Sequence, residues 1–200
     1  MKKKINLVAE IGCNHKGDFN IAMKMIENLA HFCNVKFIKF QKRNNKELLS
    51  LEEYNSPHPY PDNSYGKTYG QHREFLEFTI KQHKKLLNQC KKNKVEYSCS
   101  AWDLSSAKEL SKLNLKHIKV PSACNLDFDM LSYLCLKFKG KIHISLGMTK
   151  LHEEKKIISL VKKYNRTKDL ILYSCTSGYP VPVEDLHLLE IKRLKNKYQK

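Results

Sequence analysis

Short apolar runs alternate with longer amphipathic stretches along the chain, and each apolar run ends in polar residues. The runs predict six β-strands, at residues 5–10, 35–41, 95–100, 117–121, 141–146 and 170–175. A 3.6-residue period predicts six helices, at residues 20–34, 79–93, 104–113, 128–138, 152–164 and 184–197. Thr79 and Gln82 form a capping-box pattern at one helix start. The alternation of strands with helices indicates βαβ units in one parallel sheet.

Polar and apolar residues also alternate within the predicted strands. In the second strand Ile38 and Phe40 share one face, while Lys39 and Gln41 share the other. The strands of an open doubly wound sheet are covered by helices on both faces and are apolar throughout. One polar face instead indicates an enclosed interior, with a site at the carboxyl ends of the strands. The pattern therefore predicts an α/β fold of the (β/α)8 TIM-barrel type.

The number of predicted units is smaller than a closed barrel requires. Such a barrel has eight strands and commonly about 250 residues, whereas this chain has 200 residues and about six βα units. We expect residues 1–200 to form one incomplete TIM-barrel domain. Two interpretations stay open, a truncated and inactive fragment or one half of a split protein. A six-unit open sheet is a third, and the alternating strands argue against it.

Composition and charge restrict the choice of partners. The net charge is +17, yet only four of the 37 basic residues are Arg, and the lysines are spread along the helices. Nucleic-acid recognition favours arginine and a concentrated basic stripe, so we expect no nucleic-acid partner. The seven cysteines include no CxxC pair and lie mostly in apolar runs, which indicates buried thiols in a reducing cytoplasm. No apolar stretch approaches the ~18 residues of a membrane span, so we expect no membrane partner.

One connection, residues 42–78, is long for a compact domain. Long connections are usually lids, binding loops or disordered segments. Because this one carries Tyr54, Tyr60, Tyr65 and Tyr69, we expect an ordered loop that covers the mouth of the barrel rather than a plain insertion.

Polar residues at the ends of the strands are the candidate site. A lysine that points into a barrel is costly to bury unless a carboxylate or an anionic ligand lies beside it. Lys39 and Lys119 therefore suit a phosphate or carboxylate ligand, although Glu10 is an alternative partner for Lys39. Hydroxyl groups at matching heights would donate to oxyanions, and they belong to Ser100, Ser122, Ser145, Thr176 and Ser177. In a further interpretation one lysine forms a Schiff base, as in barrel aldolases.

Signals for metal or nucleotide binding are weak. Cys13 and His15 lie two residues apart, but no second cluster has ligand spacing. The sequence contains neither a GxGxxG fingerprint nor a phosphate loop. The residues themselves therefore assign no metal ligand.

Several motifs together resemble one family. They are AEIGCNHKGD at 9–18, IKFQ at 38–41, IKVPSA at 118–123, ISLGM at 144–148 and CTSGYPVPVEDLHL at 175–188. In this order and spacing they resemble the sialic acid synthases. These are nonulosonate synthases, which condense phosphoenolpyruvate with N-acetylmannosamine or a related amino sugar. The resemblance extends over nearly the whole chain.

The resemblance implies a role for each matching residue. The catalytic positions that it implies are Glu10, Lys39 and Lys119. The substrate-binding positions that it implies are Gln41, Ser100, Ser122, Ser145, Thr176, Ser177 and Tyr179. Cys124 occupies a position where many members have a carboxylate that helps to handle the sugar, so the acceptor sugar is left open.

The resemblance also implies a cofactor and an oligomer. In the family a divalent metal, Mn²⁺ or Mg²⁺, polarises the open-chain sugar aldehyde as a Lewis acid. Its ligands are two histidines of strands 7 and 8, and an antifreeze-like domain follows the barrel. We expect these ligands and that domain to be absent from the present sequence. Family members are homodimers, so a homodimer is implied here as well.

Overall fold

The structure is a computed structural model that describes residues 5–178 and 180–198. The chain divides into two compact units, Met1–Leu115 and Lys116–Lys200. Both units alternate parallel strands with helices. Within the described ranges, no helix is long and apolar enough to span a bilayer.

The first unit is built around three parallel strands. They are β1 (Val8–Glu10), β2 (Phe37–Lys42) and β3 (Glu96–Ala101). Strand β2 lies between the other two and pairs with both. The helices of this unit are α1 (Phe19–His31), α2 (Asn45–Leu48), α3 (Leu51–Asn55), α4 (Tyr69–Phe75), α5 (Ile80–Lys92) and α6 (Leu104–Ser111).

Polar side chains fix where these helices begin. Asp18 accepts hydrogen bonds from the first backbone N–H groups of α1, and Asp103 does the same for α6. Thr79 and Gln82 form the predicted capping box at the start of α5. Each cap satisfies N–H groups that have no partner inside the helix, which stabilises a helix by typically about 1 kcal/mol.

The second unit has the same plan. Its parallel strands are β4 (His117–Val120), β5 (Lys141–Ser145) and β6 (Leu170–Tyr173), with β5 between the other two. Its helices are α7 (Phe128–Lys137), α8 (Leu151–Lys163) and α9 (Leu189–Tyr198). The apolar residues of β4 and β5 are fully buried, as Ile118 and Ile144 show, whereas Leu170 and Leu172 on β6 are half-buried.

A buried carboxylate ties α9 to α8. Glu154 is 3% exposed and accepts hydrogen bonds from Arg193 (2.5 Å), Lys197 (3.0 Å) and the hydroxyl of Tyr198. Burial alone would raise the pKa of Glu154, but these donors outweigh it and lower the pKa to about 2. The last helix is therefore held by a charge network in addition to apolar contacts.

The predicted elements are confirmed, with corrections at their ends. The first strand begins at Val8 rather than at Ile5, whose side chain is 92% exposed. The last strand ends at Tyr173 rather than at residue 175. The last helix begins at Leu189 rather than at residue 184, because a 3₁₀ turn occupies Val183–Asp185.

The 42–78 connection is ordered, as predicted, but it is not a loop, since α2, α3 and α4 lie within it. Its aromatic side chains stack on one another. The Tyr65 and Phe75 rings are 4.8 Å apart, and Tyr69 accepts a hydrogen bond from Arg73 at 2.8 Å. Its role as a cover for the mouth stays a prediction.

The interpretation of the cysteines needs correction. All seven are free thiols, but Cys33 and Cys175 are exposed rather than buried. Burial in the apolar interior applies to Cys90, Cys99 and Cys135. Cys33 follows helix α1 and Cys175 follows strand β6, where the chain leaves the packed elements.

Candidate active site

Four predicted site residues come together in the first unit. The ammonium of Lys39 donates to Glu10 Oε1 at 2.5 Å and to Ser100 Oγ at 3.1 Å. Gln41 Nε2 donates to the same Glu10 oxygen at 3.3 Å. The ion pair between Lys39 and Glu10, which the sequence left as an alternative, is thus present.

Strand register explains this cluster. Three residues are in register across β1, β2 and β3, namely Glu10, Lys39 and Ser98. Two residues further along, Gln41 on β2 is in register with Ser100 on β3. Residues in register, and residues two positions apart on one strand, share a face of the sheet. The polar face predicted from the alternation therefore carries the whole cluster.

The two charged partners differ in their access to solvent. The Lys39 side chain is 7% exposed, whereas the Glu10 side chain is 53% exposed. A buried ammonium needs a fixed counter-charge, and Glu10 supplies one without a ligand. The carboxylate itself remains open to solvent, where it can exchange a proton with a bound molecule or water.

The connection after β1 bends sharply beside this cluster. Gly12 has a φ of +58°, and a Cβ at this position would lie 3.5 Å from Gln41 Nε2. Gly17 has a φ of +74°, and a Cβ there would lie 2.5 Å from the carbonyl oxygen of Phe75. Glycine is favoured at both positions because other residues rarely adopt this conformation.

His15 in this connection is a buried, neutral ring. It stacks on Phe78 at 4.2 Å, and its Nδ1 accepts the backbone N–H of Gly17. Burial lowers the pKa of His15 to about 4. Cys13, its neighbour in the weak metal pattern, instead accepts a hydrogen bond from Arg43 at 2.7 Å.

Arg43 is a buried charge that the sequence analysis did not assign. Its backbone N–H and its Nε donate to the Glu77 carboxylate at 3.0 and 2.5 Å. Burial opposes the charge, but Glu77 and Cys13 outweigh it and raise the pKa of Arg43. The pair joins the two ends of the 42–78 connection. Its partners Glu77 and Cys13 lie 34 and 30 residues away in the sequence, so no local pattern points to this contact.

In the second unit, the hydroxyls of Ser122 and Ser177 both lie close to Gly147. The Gly147 N–H donates to Ser122 Oγ at 3.1 Å. A Cβ on Gly147 would lie 2.7 Å from Ser122 Oγ and 2.9 Å from Ser177 Oγ. Asn125 steadies the adjoining chain by donating to the Ser145 carbonyl at 2.8 Å. The two serine hydroxyls, one half-buried and one exposed, are thus held close together.

Lys119 and Ser145 lie on the polar face of the same unit. The Lys119 ammonium lies 5.7 Å from the centre of the Tyr173 ring. Ser145 is 1% exposed, and its Oγ has no hydrogen-bond partner in the described part of the chain. A buried hydroxyl without a partner is costly, and a bound oxygen-rich ligand would provide one.

The remaining predicted positions are less enclosed. Thr176 is exposed, and its hydroxyl donates to the Asp185 carbonyl at 3.0 Å, so this group is already engaged. Tyr179 lies outside the described residues. Cys124, the departure from the family pattern, is half-buried at the end of a 3₁₀ turn that begins at Ser122.

The described residues do not fit a resident metal. No group of three or more His, Cys, Asp and Glu side chains among residues 5–178 and 180–198 could hold an ion. The described residues therefore offer no site for the divalent cation that the resemblance implied, and the expectation of Mn²⁺ or Mg²⁺ stays a prediction.

Solved structures define the class of this fold. The chain superimposes on the N-acetylneuraminic acid (sialic acid) synthetase of Leptospira borgpetersenii with a TM-score of 0.82 and 24% identity, over 98% of this chain and 63% of the other. The predicted class, a partial α/β barrel of the TIM type, is confirmed.

Sequence comparison identifies the family. The profile of the NeuB family matches residues 25–200, and the chain belongs to this family. It is 32% identical to N,N'-diacetyllegionaminic acid synthase of Campylobacter jejuni, over 98% of this chain and 59% of that protein. It is 33% identical to human N-acetylneuraminate-9-phosphate synthase, over 97% of this chain and 52% of that protein. The chain thus spans little more than half the length of these relatives, which are synthases of nonulosonic acids.

Proposed function

We propose that this chain carries the enolpyruvate-binding part of a nonulosonic acid synthase. The reaction joins phosphoenolpyruvate to N-acetylmannosamine or a related amino sugar and releases phosphate. The observation that carries the proposal is the buried Lys39 ammonium, which Glu10, Gln41 and Ser100 surround at the ends of β1, β2 and β3 in a NeuB family chain.

The basic and hydroxyl groups account for substrate binding. Each unit presents a lysine on its polar face, Lys39 in the first and Lys119 in the second, and each supplies positive charge for a substrate oxyanion. Charge-assisted hydrogen bonds to such oxyanions are about twice as strong as neutral ones. The unpartnered Ser145 hydroxyl and the Ser122 and Ser177 hydroxyls add neutral donors.

Carbon–carbon bond formation then proceeds in balanced steps. Carbon 3 of phosphoenolpyruvate attacks the aldehyde carbon of the open-chain sugar, and the aldehyde oxygen takes up a proton from solvent. Water adds to the cationic carbon 2 and loses a proton to the Glu10 carboxylate. The bond between carbon 2 and the bridging oxygen then breaks, inorganic phosphate leaves with that oxygen and with the proton of the new hydroxyl group, and carbon 2 becomes a carbonyl.

The main competing chemistry is a Schiff base on lysine. A nucleophilic lysine needs a neutral, desolvated amine. Lys39 is instead engaged in an ion pair and in a hydrogen bond to Ser100. These contacts argue against a Schiff base on Lys39. Borohydride trapping with pyruvate separates the two, since the aldolase interpretation alone gives a covalent adduct on lysine.

The test is phosphate release from phosphoenolpyruvate labelled with ¹⁸O in the bridging position, with N-acetylated hexosamines and Mn²⁺ supplied. We expect ¹⁸O in the released phosphate and loss of turnover in Glu10→Gln. Release of unlabelled phosphate would overturn the carbon–oxygen cleavage proposed here. If the wild-type chain releases no more phosphate than Glu10→Gln with any of the sugars, the proposed reaction is overturned. The choice of sugar, the homodimer and the cytoplasmic location stay predictions.

A further inference from the structure

Three side chains form a polar stack beside Lys119 on the strands of the second unit; they belong to His117, His143 and Tyr173. Lys119 and His143 are in register on β4 and β5, and Ser145 and Tyr173 are in register on β5 and β6. Because residues in register share a face, these side chains lie on the polar face together. His117 precedes Lys119 by two residues and lies on that face as well.

The contacts between them form a continuous chain. The His117 and His143 rings stack at 4.4 Å with an angle of 13° between their planes. His143 Nδ1 shares a hydrogen bond of 3.0 Å with the Tyr173 hydroxyl. The Tyr173 ring in turn lies 5.7 Å from the Lys119 ammonium, within the distance at which a cation and an aromatic face attract.

Both histidines are only 8% exposed, so the surrounding protein atoms hold the two rings in place. Burial, together with the nearby His117, Lys141 and Lys119, lowers the pKa of His143 to about 3, and the ring is neutral. A neutral imidazole bonded to a phenol fixes the orientation of both groups, whichever of them donates. An aliphatic residue at position 173 would give Lys119 no aromatic face.

We propose that Tyr173 is a positioning residue for Lys119, with His143 holding the Tyr173 ring under the ammonium. The inference rests on the proposed function in one respect: the ligand of Lys119 is taken to be an anionic group of phosphoenolpyruvate. The arrangement of the ammonium over the ring is a property of the folded chain alone. It can therefore be tested without turnover.

The experiment measures the acetylation rate of Lys119 by mass spectrometry, relative to the exposed Lys139 in the same sample. Tyr173→Leu removes the aromatic face, and Tyr173→Phe keeps it while removing the hydroxyl. An ammonium that loses its aromatic partner is less stabilised, so more reactive amine is present. We expect the relative rate to rise about fivefold in Tyr173→Leu and to change less in Tyr173→Phe. Equal rates in the wild type and Tyr173→Leu would overturn the proposal.

Two further measurements separate the possible failures. Circular dichroism establishes that each variant is folded, and Tyr173→Phe provides a matched variant if Tyr173→Leu does not fold. Whether or not Tyr173→Leu folds, a rate in Tyr173→Phe equal to that of the wild type would overturn the role of the His143 contact. If the wild type does not bind phosphoenolpyruvate but the acetylation ratio shifts as expected, the proposed function fails and the positioning role stands.

Discussion

At the scale of single residues, the central feature is that Lys39 has a protein counter-charge. The Glu10 carboxylate pairs with the ammonium in the folded chain, so a substrate is not needed to supply a counter-charge. An incoming anion then meets a carboxylate as well as an ammonium. The pair lowers the cost of burying Lys39, and in exchange it weakens the attraction for an anion.

Glu10→Gln tests this balance. The substitution removes a negative charge that lies within hydrogen-bond distance of Lys39, so we expect phosphoenolpyruvate to bind about fivefold more tightly by calorimetry. Turnover should fall at the same time, because the proton acceptor is lost. Weaker binding in Glu10→Gln would show that the carboxylate contacts the substrate favourably.

Gly147→Ala tests the packing of the serine pair. The added methyl group would lie within 3.0 Å of both Ser122 Oγ and Ser177 Oγ, so these hydroxyls must move. We expect weaker phosphoenolpyruvate binding with little change in thermal stability, measured by calorimetry and by a melting curve. The matched control is Gly178→Ala, where the nearest atoms are 3.4 Å away. Equal affinities in the two variants would remove the serine pair from the site.

At the scale of elements, the alternation of polar and apolar residues determines most of what the sequence predicts. It located all six strands because each coincides with a short apolar run; on β5 the alternate residues Ile142 and Ile144 of that run are buried. It failed in the 42–78 connection, where α2 and α3 have four and five residues. Helices this short complete at most about one turn and show no hydrophobic period.

The attachment of α9 depends on Glu154. We expect Glu154→Gln to lower the free energy of unfolding by about 2 kcal/mol, because the buried carboxylate that binds three partly exposed donors loses its charge. Glu190→Gln is the matched control, since Glu190 also bonds Arg193 but is 43% exposed; we expect a loss below about 1 kcal/mol. Urea unfolding measures both, and equal losses would contradict a special role for the buried carboxylate.

At the scale of the whole molecule, buried neutral histidines link folding to pH. Burial lowers the pKa of His15 to about 4 and that of His83 and His143 to about 3. Below about pH 6.5 the unfolded chain binds protons that the folded chain does not. Their contribution is therefore fully present above pH 6.5 and is lost as the pH falls towards about 4 for His15 and about 3 for His83 and His143.

This linkage predicts a slope of about 1.4 kcal/mol per pH unit for each of these histidines. His83→Asn removes one of them while keeping a polar partner for Tyr97. We expect denaturant unfolding between pH 6 and pH 4.5 to show a slope smaller by that amount. His152→Asn, at an exposed position, should leave the slope unchanged. Equal slopes in the wild type and His83→Asn would contradict the buried neutral state.

The site residues were predictable from the sequence only where the polar end of a predicted strand coincides with one of the family motifs. Glu10, Lys39, Gln41 and Ser100 follow from strand ends and register, and the structure brings them together. The contact of Arg43 with Glu77 and Cys13 joins residues about 30 apart in sequence. The cluster of His143 with His117 and Tyr173 joins different strands. Such contacts depend on tertiary packing, which no local pattern encodes.

The most direct test of the account is the affinity of the wild-type chain and of Lys39→Gln for phosphoenolpyruvate, measured by calorimetry at one pH and one ionic strength. A charged donor to an oxyanion is worth about 1.5–3 kcal/mol, so we predict binding about 10- to 100-fold weaker in Lys39→Gln. Lys36→Gln, which changes an exposed lysine just before β2, should leave the affinity within about twofold. Equal affinities in Lys39→Gln and the wild type would contradict the account.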